Sequence, residues 1–286
     1  MRYAAIAAAM MIVVVTCVFG QDPLPNLTDE QLRKGANLLP YRDYSEEDPM
    51  PLVKKYEGLR VTDVRDAMQA IGLQDIGVMD HSIRPLWRDN TEKLAHRIYG
   101  VALTYQYLPT NKPQAGVVPY KDFREWHSRW YRDFAPESFS RILRPGIILV
   151  IDAQGIEDTG FIGSNNALNW RSRGMSGVIT NGNCRDTDEL ILQKVPVYSK
   201  YQGGGTRPGR IESGAINRPV TVGGALVRPG DFIVADGDGV QVVPRQYVER
   251  VAEIAWDIAK GDKESRRKLY EKLKMPLDPT VKPDKF

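Results

Sequence analysis

Short apolar runs alternate along the chain with segments in which apolar residues recur every three or four positions, and this alternation predicts a mixed α/β fold. Val64, Ala67, Met68 and Ile71 fall at helical spacing, with Thr62 ahead of them as an N-cap and Gly72 after them as a stop, so a helix is expected to open the domain near Val61. Ile98 to Tyr107 combines apolar, β-branched and aromatic residues and reads as a strand. Arg144-Pro-Gly146 reads as a turn into Ile147 to Ile151, whose unbroken apolar character suits a strand covered on both faces. Val178 and Ile179 end another buried strand, and Asn181-Gly182 is expected to turn the chain with positive φ. A strand around Val195 to Tyr198 follows, then a hairpin turning at Asp236-Gly-Asp-Gly239. An amphipathic helix from Gln246 to about Ala259 closes the domain, leaving residues 260–286 as a charged tail.

The ends and one interior stretch depart from this rhythm. Met1-Arg2-Tyr3 followed by the apolar run Ala4 to Phe19 has the form of a secretory signal peptide, residues 1–20, and is short for a membrane span. The mature chain is therefore expected to be periplasmic or secreted, without stable membrane insertion. Residues 21–54, with clustered prolines and acids, read as an arm carrying one short helix around Asp29 to Ala36. Residues 55–259 form the expected domain, interrupted at 108–143 by an aromatic-rich insertion. There Tyr120, Phe123, Trp126, Trp130, Tyr131, Phe134 and Phe139 interleave with Lys121, Arg124, Arg129 and Arg132 around a helical middle. Such a stretch either packs a lid or subunit contact or stacks on a sugar.

Composition narrows the class. With 286 residues, 42% hydrophobic and 26% charged, the chain is long enough for a substantial core. The formal charge of +3 comes from scattered basic residues without a stripe, which argues against nucleic acid as a partner. Of the 2 cysteines, only Cys184 survives signal cleavage, so no intrachain disulfide is expected. Its neighbour Arg185 would favour a thiolate, but with no histidine near it in sequence Cys184 reads as a small packing residue.

Candidate chemistry is densest in Gly177-Val-Ile-Thr-Asn-Gly-Asn-Cys-Arg-Asp-Thr-Asp-Glu189. Asp186, Asp188 and Glu189 either cap the helix that continues through Leu190 and Ile191 or gather round a cation. A hard cation such as Mg2+, or Mn2+ in its place, takes few protein ligands, so Asp186 alone could hold it, with Glu189 acting through a bound water. Arg185 offers a planar fork to a carboxylate or enolate oxygen. Upstream, Gly163-Ser-Asn-Asn166 opens a helix whose free N–H groups suit an anion. His81, in a polar loop, reads as a capping or exposed residue or as a general acid or base. The glycine-rich Gln202 to Gly209 lacks the Gly-Lys-Ser/Thr ending of a phosphate loop and reads as a plain loop.

Gly163, Arg185-Asp186, the two residues Thr187-Asp188 and then Glu189, together with the run Arg228 to Arg245 and the segment Val61 to Trp87, resemble the RraA-like family. That family includes 4-hydroxy-4-methyl-2-oxoglutarate aldolases and regulators of ribonuclease activity, and the resemblance covers residues 55–255. It implies a swivelling β/β/α fold, assembly as a homotrimer or hexamer with sites between subunits, and a small 2-oxoacid substrate. It further implies a metal-dependent carbon–carbon lyase, or decarboxylase, in which Arg185, Asp186 and Glu189 are catalytic. The cation would sit on Asp186, and Gly163, Ser164, Asn165, Asn166 and Arg185 would bind substrate. In this sequence Ser164, Asn165 and Asn166 replace the family's usual residues after the glycine. A non-catalytic regulator and an exported sugar-acid-processing relative are the alternatives.

Overall fold

Twelve residues of one strand, Ile98–Pro109, form the spine on which the rest of the domain is assembled. The computed structural model describes residues 26–39, 42–44 and 46–282, so the proposed signal peptide and the first residues of the arm lie outside the described residues. The chain divides into two units, Met1–Pro40 and Tyr41–Phe286. In the first, α1 (Asp29–Lys34) begins with a reciprocal cap, Gln31 N donating to Thr28 Oγ1 at 3.3 Å and Thr28 N to Gln31 Oε1 at 2.9 Å, and ends at Gly35 with φ 81°.

In the second unit the order is α2 (Met50–Tyr56), α3 (Val61–Ala70), β1 (Arg84–Pro85), β2 (Ile98–Pro109), α4 (Tyr120–Asp133), β3 (Ile147–Asp152), β4 (Gly160–Ile162), α5 (Ser164–Ser172), β5 (Gly177–Cys184), α6 (Thr187–Leu192), β6 (Val197–Gln202), β7 (Ile211–Ile216), β8 (Val220–Val222), β9 (Ala225–Val227), β10 (Phe232–Asp236), β11 (Gly239–Val243) and α7 (Val248–Leu273). Two short 3-10 turns complete it. A nine-stranded sheet runs β1-β6-β5-β3-β2-β10-β11, with β4 added beside β5 and β7 beside β2. The central pairs β2–β3, β3–β5 and β5–β6 are parallel, while β10 and β7 lie antiparallel along successive halves of β2. The segment from Val78 to Pro85 joins the sheet's two ends, since Met79 N donates to Val240 O at 3.2 Å and β1 pairs with β6. The sheet thereby curls into a nearly closed barrel.

Alternation along the strands divides the apolar residues between two cores. Ile147, Leu149 and Ile151 face a helical layer with Val101, Leu103, Trp170 and Val251, while Ile148 and Val150 face the interior with Ile98, Ala102, Tyr198 and the β8–β9 hairpin. β3 is buried along its whole length, as its unbroken apolar run predicts.

Four local expectations change. The first helix starts two residues early, with Arg60 at the N-cap and not Thr62, because Asp63 accepts from Arg60 N at 2.8 Å and Asp236 from Val61 N at 2.9 Å. The chain does not turn at Asn181-Gly182: β5 continues to Cys184, extended by its new neighbour β4. The Asn181 amide holds the strand, accepting from Ala153 N and donating to Asp152 Oδ1, both at 2.8 Å. Gly182 is needed for space, since a Cβ there would lie 2.7 Å from the Phe161 ring and 2.8 Å from Ala153 Cβ. Helix α7 runs past Ala259 to Leu273, although its buried residues end at Ala255, and the tail folds back on it through Tyr270 Oη to Asp278 Oδ2 at 3.0 Å. Finally, the arm's expected limit at residue 54 falls inside α2, whose Leu52 and Tyr56 are buried in the core.

Candidate active site at the ends of two parallel strands

Parallel strands deliver their loops and following helices to the same edge, and the crevice outside their carboxyl ends is where open α/β sheets bind ligands. β4 and β5 are such a pair: Gly160 lies opposite Asn183, Ile162 opposite Cys184, and Arg185 N donates to Ile162 O at 2.9 Å. The pairing places Gly163, N-cap of α5, against Arg185-Asp186, which leads into α6.

Asp186 is the unusual residue there. It occupies the N-cap of α6 with left-handed backbone, φ 54° and ψ 45°, a conformation that a non-glycine residue rarely adopts and that costs about 1 kcal/mol or more. Its carboxylate makes no cap on its own helix. Instead Oδ2 accepts from Ser164 N at 3.1 Å and Ser164 Oγ at 3.3 Å, and Oδ1 from Arg185 Nε at 3.2 Å. Asp186 therefore caps α5 and not α6, while Asp188 and Glu189 stay in the first turn of α6, where its dipole favours them. Burial raises this carboxyl's pKa, but the Ser164 and Arg185 donors outweigh it and hold the group below the usual carboxylate range. A Cβ at Gly163 would stand 2.8 Å from Asp186 Oδ2, so glycine is what allows the carboxylate to reach the helix end.

The three acids do not form one cluster of metal ligands. Asp188 and Glu189 lie in the first turn of α6 with exposed side chains, and among the described residues no group of three His, Cys, Asp or Glu could hold a metal. The alternative in which all three acids gather round a cation is thus corrected, and Asp186 alone lies against the start of α5 at the ends of β4 and β5. Asn165 is exposed at the start of α5, while Asn166 is committed elsewhere, its Nδ2 donating to Glu137 Oε1 at 2.6 Å.

Glu137 belongs to the aromatic insertion. Its second oxygen accepts from Trp170 Nε1 at 2.7 Å, and the carboxylate pairs with Arg207 from the glycine-rich loop. Arg207 is 1% exposed, donates to Phe161 O at 2.9 Å and Ala135 O at 3.2 Å, and stacks against the rings of Tyr107 and Tyr131. The insertion is therefore pinned onto α5 and β4 by a buried charged clasp. Helix α4 is fixed beside it through Trp130 Nε1 to Ile211 O at 2.8 Å, and carries the half-buried His127. Burial, and after it the Arg185 charge, hold that imidazole below the usual histidine range.

Glu137, Arg207 and His127 were not singled out as site residues from the sequence. The insertion holds one histidine and four acids, Asp122, Glu125, Asp133 and Glu137, among its aromatic and basic residues, and nothing in the sequence separates Glu137 from the other three. Cys184 is fully buried with Sγ 3.3 Å from Ser199 Oγ, and burial pushes its thiol up, as a packing residue requires. His81 is exposed on the loop before β1. Asp236, at the hairpin turn, is occupied by Val61 N and Asp238 N and forms no calcium loop.

Comparison with known proteins places these observations. A family model described as RraA-like, Aldolase/RraA, matches residues 61–242. A protein of Halalkalibacterium halodurans provisionally named 4-hydroxy-4-methyl-2-oxoglutarate aldolase is 33% identical over 132 residues, 45% of this chain and 61% of that protein. One of the same provisional name from Alcanivorax borkumensis is 35% identical over 111 residues, 36% of this chain and 64% of its own length. The chain thus spans under two thirds of each of these relatives. The crystal structure of Streptomyces coelicolor RraAS2, described as an unusual member of the RNase ES inhibitor RraA protein family, superposes with a TM-score of 0.61 at 22% identity, covering 76% of this chain and 98% of that one. At that identity the likeness concerns the fold.

Proposed function

Because the chain belongs to the RraA-like family, we propose that it is a divalent-cation-dependent lyase that cleaves a small 4-hydroxy-2-oxoacid, or decarboxylates a 2-oxoacid such as oxaloacetate. The observation that supports this most is the Asp186 carboxylate, held in a left-handed backbone and turned onto the N-terminus of α5 beside the Arg185 guanidinium. A lone carboxylate with lone pairs to spare is the donor set of a magnesium-type cation that keeps most of its waters, and is too sparse for zinc. On Asp186 such a cation supplies Lewis-acid stabilisation of a 2-oxo group, and Glu189 is assigned to its hydration shell.

The protein's own groups do the rest. In α5 the first bond within the helix is Ala167 N to Gly163 O at 2.9 Å, so the N–H groups of Asn165 and Asn166 precede it and are assigned to the substrate carboxylate. Breaking a carbon–carbon bond next to the 2-oxo group leaves an enolate, and Arg185 offers its terminal nitrogens to that oxygen while Nε stays on Asp186. The low pKa of Asp186 keeps it anionic throughout the pH range of interest. We place this chemistry in the periplasm or exterior because the run Ala4 to Phe19 has the form of a signal peptide.

The test is pyruvate release from 4-hydroxy-4-methyl-2-oxoglutarate and from oxaloacetate, with and without Mg2+. Cation-dependent release is expected, abolished in Asp186→Ala and reduced roughly 100-fold in Arg185→Lys, which keeps the charge and loses the fork. Full activity of Asp186→Ala at saturating substrate would refute the assignment.

A further inference from the structure

The parallel strands have a second end, opposite the candidate site, and it is hollow and cationic. Gly146, Ser176 and Pro196, the residues just before β3, β5 and β6, line a cavity there of about 510 Å3. Eight residues of β5, at about 3.3 Å each, set this end roughly 25 Å from Arg185. Arg97, the residue before β2, lines the cavity with Arg171 and Lys194, and among the described residues no carboxylate lines it. Arg97 also borders a larger cavity of about 990 Å3, walled by α2 and α7. Seven Lys and Arg side chains line the larger cavity against three carboxylates. One of the three, Asp63, is spent on Arg60, whose Nε donates to its Oδ2 at 3.0 Å.

The walls are firm. Trp256 Nε1 donates to Lys55 O at 2.7 Å, and its ring lies against Gly58, where a Cβ would stand 3.3 Å away. Arg60 Nη2 donates to Asp262 Oδ2 at 2.7 Å and Arg266 Nη1 to Thr280 O at 3.0 Å, while Val281 is buried, so the tail is pinned beside the opening. Lys54, Trp256, Lys260 and Arg266 lie outside residues 61–242, the part that matches the family model, so this wall comes from the flanks of the chain. The Nε of Arg97 is buried without a hydrogen-bond partner, so packing and not an acceptor holds that nitrogen where the two cavities meet.

We propose that this end of the barrel binds a small polyanion, one carrying two or more phosphate or carboxylate groups. The larger cavity falls at the top of the size range of small-molecule sites, about 300–1,000 Å3, and is too roomy for a single anionic group. Its cations arrive from separate elements, Lys54 on α2, Lys93 on the loop before β2, Arg97 at the start of β2 and Lys260 on α7, and so suit charges set apart on one ligand. An excess of one sign in a concave site concentrates counter-charge there, and guanidinium and ammonium donors make their strongest hydrogen bonds to anionic oxygens.

Isothermal titration of the full chain in EDTA at constant ionic strength, with pyrophosphate, citrate and orthophosphate, tests this and separates phosphate from carboxylate ligands. Pyrophosphate or citrate is expected to bind saturably, one per chain, at least tenfold more tightly than orthophosphate. Arg97→Gln should weaken binding roughly tenfold or more. Lys93→Gln/Lys260→Gln, on exposed side chains whose loss spares the fold, should weaken it several-fold, and Arg185→Gln should leave it unchanged. The proposal is overturned if neither polyanion binds, if orthophosphate binds as tightly, or if binding survives both Arg97→Gln and the double lysine variant. Loss of binding in Arg185→Gln would also overturn it, by assigning the anion to the candidate active site.

Discussion

Removing Glu137 tests whether the insertion is clasped to the site as the geometry indicates. Its carboxylate satisfies Arg207, Trp170 Nε1 and Asn166 Nδ2 at once, and Arg207 already has a buried Nε without a partner. In Glu137→Ala a guanidinium that is 1% exposed keeps only two carbonyls and two aromatic rings. Breaking one side of a buried ion pair costs about 3–5 kcal/mol, and stranding a buried indole N–H about 1–3 kcal/mol. The two overlap, and Glu137 retains 20% exposure, through which water can partly replace it. The expected loss is therefore about 3–4 kcal/mol, or roughly a 10 °C fall in Tm for a domain of this size. Glu137→Gln, which keeps an oxygen and loses the charge, should cost about half as much. Urea unfolding of both variants and of Glu137→Ala/Arg207→Met closes a double-mutant cycle, in which the second substitution should recover part of the loss because it removes the orphaned charge. A loss below about 1 kcal/mol, or strict additivity in the cycle, would refute the clasp.

Three further outcomes follow. Gly163→Ala should place a methyl 2.8 Å from Asp186 Oδ2, forcing the carboxylate off Ser164 N and lowering activity at least tenfold while Tm changes little; isothermal titration with Mn2+ should show weakened binding. Asp231 is buried and its pKa is raised to about 6 by burial against the backbone donors Arg228 N and Arg245 N. The folded state therefore binds its proton more tightly than the unfolded chain, so stability should decline by about 2–3 kcal/mol as pH rises from about 4 to about 6, and Asp231→Asn should flatten that slope in pH-dependent urea melts. Cys184, buried with a raised pKa, should resist alkylation in the native protein and react at the rate of unfolding, as peptide mass spectrometry would show; rapid native labelling would contradict the packing.

Much of this architecture was legible in residue order alone. Ile147 to Ile151 announces a doubly covered strand because burial on both faces leaves no polar position, and the period of the first domain helix is set by which residues must face the sheet. The spacing of Gly163, Arg185-Asp186 and Glu189 carried the family resemblance, since it belongs to short local segments. Tertiary structure decided whatever depended on neighbours distant in the chain. Asn181-Gly182 has turn chemistry, but β4 beside it and Asp152 and Phe161 across from it make extended backbone the lower-energy choice. Asp186 sits at a helix start as its type suggests, yet its carboxylate serves another helix, because the parallel pairing of β4 and β5 brings a second N-terminus within hydrogen-bond range. Glu137 comes to this edge only through the packing of the insertion on Arg207 and α5. Periodicity reports which side of an element is buried; it carries no information about which far-off side chain lies opposite.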